Sequence, residues 1–112
     1  LEGKDIRRAM PRFSASNYPA NLQLLQGFEA LAQQAACTPA QLALAWLLAQ
    51  AEHIIAIPGT TSVAHLQEDV AAATLDIPSD ILIEAGALIN QGSVHGARYP
   101  AATLPEIDTE DF

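Results

Sequence analysis

Pro58-Gly59-Thr60-Thr61-Ser62 stands between an apolar run, Ile54 to Ile57, and a helical pattern that begins near Ser62. The first N–H groups of a helix have no partner inside it and carry partial positive charge. Thr60, Thr61 and Ser62 add hydroxyl donors, and Gly59 lets a ligand approach the backbone. The combination suits an anion, with phosphate as the natural guest. Ser62 or Thr61 acting only as an ordinary helix cap is the simpler reading of the same residues. Other reactive side chains are scattered. His53, His65 and His95 are too far apart in sequence to suggest a metal site. Cys37 has no basic neighbour to activate it and reads as a small packed apolar residue. Trp46 lies in a dense apolar segment and reads as core.

The elements that must position the 58–62 segment follow from periodicity and punctuation. Residues 1–17 show no sustained period and read as an opening loop. A first helix is expected from Pro19, with Leu24, Phe28, Leu31 and Ala35 on one stripe. Thr38, Pro39 and Gln41 form a capping-box pattern, and Cys37 with Leu42 offers a hydrophobic staple. The helix that follows, Pro39 to about Gln50, is apolar nearly all round, as in a helix enclosed by other elements. Ile54–Ile57 is short, unbroken and β-branched, the pattern of a fully buried parallel strand. A third helix is expected from Ser62 to Ala73. A fourth is expected from Asp80 to Ile89, capped by Ser79, and then an acidic tail. No second strand pairs with Ile54–Ile57, and an unpaired buried backbone group costs roughly 1–3 kcal/mol. Both the lone strand and the all-apolar helix therefore ask for partners, either other chain segments or other copies.

Bulk properties narrow the function. At 112 residues the chain is at most one domain, and a net charge of −8 with five Lys and Arg leaves no basic footprint for nucleic acid or an anionic membrane. No apolar run reaches the roughly 20 residues of a membrane span. The first stretch lacks the apolar centre of a signal peptide. One cysteine suits a reducing cytoplasm. The absence of an initial Met hints at a piece of a longer protein.

TPAQLALAWLLAQ (38–50), followed by IIAIPGTTSVAHLQEDVAA (54–72), resembles the C-terminal portion of aldo-keto reductases. PRFSASNYPANLQLL (11–25) and the pair Arg98-Tyr99 add to the likeness. The resemblance implies an α/β fold, a C-terminal fragment of a (β/α)8 TIM barrel, with the chain itself mostly helical. Residues 1–17 would be the opening loop, 18–73 helix-helix-strand-helix, and 74–112 a C-terminal helix and tail over the barrel mouth. It implies an oxidoreductase that reduces aldehydes and ketones by hydride transfer from NADP, with NAD possible. Gly59, Thr60, Thr61 and Ser62 would line the cofactor phosphate, His65 would lie beside it, and Glu68 and Asp69 would face the adenine. The positions where the family commonly carries Lys or Arg hold none here, which implies weakened NADP preference. None of the family's catalytic Tyr, Lys, Asp and His maps onto this chain: Lys4, Tyr18 and Tyr99 fall elsewhere. No catalytic residue is assigned, and the chain alone is expected to be inactive. Its partners would be a carbonyl substrate in the complete enzyme and either the missing barrel segment, as one half of a nicked barrel or otherwise, or further copies of itself. The alternative is a non-enzymatic helical module for self-association or for anion or nucleotide binding.

Overall fold

The computed structural model describes residues 3–106. The acidic run that closes the chain lies, beyond Glu106, outside the described residues. Four α-helices make up the body: α1, Tyr18–Gln34; α2, Pro39–Leu48; α3, Val63–Ala71; and α4, Ser79–Leu88. Short 3-10 turns occupy Ile6–Ala9, Pro11–Phe13, Ala72–Thr74 and Leu104–Glu106.

Local chemistry explains most of the helix ends. Thr38 Oγ1 accepts from Gln41 N–H at 3.2 Å, and Gln41 Oε1 accepts from Thr38 N–H at 3.1 Å. That reciprocal pair starts α2. α1 ends in a Schellman arrangement: Cys37 N–H donates to Ala32 C=O and Ala36 N–H to Gln33 C=O. The left-handed position in this motif is Ala36, at φ 51°, where glycine is the usual occupant. Ser79 does not cap α4. Pro78 holds the cap position without a side-chain bond, and Asp80 Oδ1 accepts from Ile81 N–H instead.

α1, α2 and α4 pack on one another around Leu31, Ala32, Leu42, Ile81 and Ala85. Phe28, Cys37, Trp46, Leu82 and Leu88 close around this cluster. Two glycines set the helix spacing. A Cβ at Gly86 would stand 3.0 Å from Trp46 Nε1, and one at Gly27 3.0 Å from a Leu88 methyl. The loop after α4 is fastened to the start of the chain by Asn21. Its amide donates to Arg12 C=O and His95 C=O and accepts from His95 N–H at 2.8 Å. Gly96, at φ 90°, completes this contact, because a Cβ there would meet Asn17 Nδ2 at 2.6 Å.

Among the described elements, α3 and the 72–74 turn pack on α2 and on each other. The link is partly polar: Gln41 Nε2 donates to Glu68 C=O at 3.2 Å.

This architecture corrects the expected fold. No β-strand exists among the described residues, so there is no barrel strand and no TIM-barrel fragment. Ile54–Ile57 was expected to be a buried strand. It runs without turn or bend, but no neighbouring segment offers it a ladder. A β-branched run supplies the propensity for a strand, but a strand exists only through hydrogen bonds to another one. α2 is not enclosed either: Ala43 and Leu47 face outward. No helix among the described residues is long and apolar enough to cross a membrane.

Candidate functional site

The segment before α3 spends its polar groups on itself. Thr60 Oγ1 accepts from Ser62 N–H at 3.1 Å, and Ser62 Oγ accepts from His65 N–H at 3.4 Å. Leu66 N–H donates to Ser62 C=O, the first bond of the helix. Ser62 is therefore an ordinary cap, and the Val63 and Ala64 N–H groups remain as the unbonded start of the helix. Thr60, Thr61 and Ser62 line a shallow depression of about 300 Å³ with Pro58, Val63 and Leu66. No cationic side chain lines it.

The expected cofactor residues do not converge. Thr60, Thr61 and Ser62 stand together, but Gly59, His65, Glu68 and Asp69 are absent from their depression. A Cβ at Gly59 would meet open space, and His65 is exposed. Asp69 lines a different hollow, and the Glu68 carbonyl is engaged by Gln41.

That hollow is the more developed feature. It is a groove of about 360 Å³ between α2, the 54–58 segment and α3. Its walls are Leu44, Leu48, Ile54, Ile55, Ala56, Pro58, Leu66, Val70 and Ala73, with Asp69 the only charged member. The residues around it are apolar yet exposed: Ile55 is 84 % accessible, Ile57 92 %, Val63 72 %, Val70 65 % and Leu66 50 %. A second apolar groove, of about 420 Å³, lies among Leu25, Phe28, Pro39, Ala43, Trp46, Ala85 and Ile89. Sequence reasoning missed both grooves, because it treated these apolar residues as interior. The signal was present in the unpartnered strand pattern and the all-apolar α2.

No group of three or more His, Cys, Asp or Glu side chains stands together among the described residues. Burial pushes the Cys37 thiol above its ordinary pKa, away from the thiolate form. Tyr18 packs its ring 5.6 Å from that of Phe13. The Arg98 guanidinium lies over the Tyr99 ring, 5.3 Å from its centre.

The comparisons with known proteins point to one family. The sequence profile of the aldo/keto reductase family matches residues 1–83. Aldo-keto reductase str7 of Strobilurus tenacellus is 34% identical over 112 residues, 100% of this chain and 33% of that protein. The aldo-keto reductase yakc of Schizosaccharomyces pombe, whose name carries NADP(+), is 40% identical over 96 residues, 86% of this chain and 28% of that protein. Probable aldo-keto reductase 1 of Glycine max is 39% identical over 92 residues, 82% of this chain and 27% of that protein. The chain thus spans about a third or less of the length of the curated relatives it matches.

Two expectations need correcting against this. The family match covers residues 1–83 and leaves out Arg98-Tyr99, and the absence of any strand among the described residues overturns the reading of the chain as the C-terminal piece of a barrel. The expectation of an NAD(P)-dependent oxidoreductase carrying the adenosine end of the NADP site is also overturned. That site was expected on a barrel strand and its following helix. The described residues form no strand and no barrel mouth.

Proposed function

The chain belongs to the aldo/keto reductase family, and from that premise we propose that it serves as a non-enzymatic helical module that associates with copies of itself. The observation that carries this reading is surplus surface. The chain exposes 8113 Å². A self-contained monomer of its 11.9 kDa exposes roughly 5,900 Å². Its radius of gyration is 15.3 Å, against roughly 13 Å for a compact domain of this length. The excess of about 2,200 Å² is more than the roughly 800 Å² per partner that a standard interface takes. Ile55, Ile57, Val63, Leu66 and Val70, all large, apolar and exposed, line or flank the α2–α3 groove, which favours association over solvation. Anion or nucleotide binding has less support, since Thr60 and Ser62 are turned to their own backbone and no cation faces the depression. Cys37 as a single, burial-quieted thiol accords with a cytoplasmic setting.

Sedimentation across a concentration series tests the reading. The full chain is expected to move from monomer to dimer, and Leu66→Asp is expected to weaken that dimer at least tenfold. Two copies of net charge −8 repel, so raising salt from about 0.05 to 0.5 M should tighten the dimer. A chain that stays monomeric throughout the series overturns the proposal.

A further inference from the structure

The loop that follows α4 has two parts, held in different ways. Residues 90–94 are closed by local bonds. Asn90 Oδ1 accepts from Gly92 N–H at 2.8 Å and from Ser93 N–H at 3.2 Å, and Val94 N–H donates to Asn90 C=O. The Asn90 amide also donates to Ala87 C=O at 2.8 Å, which ties this turn to α4. His95 and Gly96 are held from across the chain instead. His95 N–H donates to Asn21 Oδ1 at 2.8 Å, Asn21 Nδ2 donates to His95 C=O at 2.9 Å, and Arg12 Nε donates to Gly96 C=O at 3.2 Å. Among the described residues, each hydrogen bond that fastens 95–96 to residues 11–21 runs through a side chain, and no backbone ladder backs them. His95 and Gly96 are exposed, so water competes for every one of these bonds.

We infer that Asn21 and Arg12 form a latch that opens as one unit, freeing the chain from His95 onward while the 90–94 turn and the four helices stay folded. The latch works within one copy and does not depend on self-association. Its two side chains are coupled. Asn21 Nδ2 also donates to Arg12 C=O at 3.0 Å, so the backbone that carries the Arg12 side chain fixes how the Asn21 amide is turned. The two then grip consecutive residues, and release of one bond disturbs the geometry of the next. The seat at Gly96 makes the closed state discrete. A Cβ there would stand 2.6 Å from Asn17 Nδ2 and 3.0 Å from the Pro11 carbonyl. Asn17 Nδ2 has little room to yield, because it donates to Pro11 C=O at 2.9 Å. Opening exposes little apolar surface. Val94 lines a hollow of about 340 Å³ with Phe13, Tyr18, Leu22 and Ile89, and it belongs to the turn that stays on α4. A segment held by exposed bonds, with few apolar contacts of its own, opens well before the whole fold does.

Amide hydrogen exchange on the full chain, in dilute solution, tests the latch through three N–H groups. His95 N–H reports the latch, Val94 N–H the 90–94 turn and Leu42 N–H, bonded to Thr38 C=O, the core. In the unaltered chain His95 is expected to be protected at least tenfold less than Leu42. Arg12→Ala removes the bond to Gly96 and leaves both His95 bonds in place. It is nevertheless expected to lower His95 protection at least threefold, with Val94 and Leu42 unchanged. Gly96→Ala attacks the seat from the other side and should lower His95 protection at least tenfold. The double variant should lose little more than Gly96→Ala alone, since an open latch has nothing further to release. His95 protection that ignores Arg12→Ala, or effects of the two substitutions that simply multiply, overturns the single unit. Protection of His95, Val94 and Leu42 that falls together in every variant overturns local release altogether.

Discussion

Leu42 and Leu66 are the same residue in helices that touch each other, yet one has no exposed surface and the other is half exposed. Leu42 lies where α1, α2 and α4 meet. Leu66 lies on α3, which among the described helices has α2 on one side and none opposite. The first region is a small but closed core, and the second is one side of an interface. The difference shows that this chain's apolar content exceeds what its own helices can cover. Five of the exposed large apolar side chains, Ile55, Ile57, Val63, Leu66 and Val70, belong to the 54–74 side of α2.

The largest expected effect separates the two regions directly. Leu42→Ala should cost about 2–5 kcal/mol of unfolding free energy, a large share of what so small a core supplies. Leu66→Ala, measured in dilute solution where the chain is a single copy, should cost under about 1 kcal/mol. Equal losses in urea unfolding would erase the distinction. A second test concerns strain that the closed region sustains. Ala36 sits at φ 51° in the turn that ends α1, and Ala36→Gly should raise stability by about 1 kcal/mol. A loss on that substitution would mean the Ala36 methyl packs better than its backbone is strained.

The smallest effect belongs to the surface. Asp5 accepts from the Arg7 side chain, at 2.6 Å for the shortest contact, and from Arg7 N–H. These bonds hold its carboxyl at about 2, below the ordinary 3.8. Because the folded value is depressed, any stabilisation is fully present above about pH 4 and is lost as pH falls through about 2. The pair is solvent-exposed and screened, so Asp5→Asn should leave the melting temperature nearly unchanged. An Asp5 carboxyl that titrates near 3.8 by carbon-13 NMR would remove the pair from the account.

Helix positions and starts were readable wherever the cause is local. The Thr38–Gln41 capping box needs only four consecutive residues, and Ser62 as the cap of α3 needs only its own hydroxyl. The Schellman turn at Ala36 was not readable, because an alanine there hides the signal that glycine would give. The hold of Asn21 on His95 was invisible too, since 74 positions separate the two. The candidate site depended on the same kind of long-range information. Gly59 to Asp69 lie close in sequence, but whether they face one ligand depends on a scaffold that these helices do not form.

Sequence alone established where α2 and α3 start, that the chain is acidic, and that Ile54–Ile57 has the chemistry of a strand. Those are properties of neighbouring residues and of composition. Only the tertiary structure decided that this run lies bare on the surface and that α2 stays open on one side. Burial and strand pairing depend on what stands opposite a residue, and no residue encodes its neighbour across space.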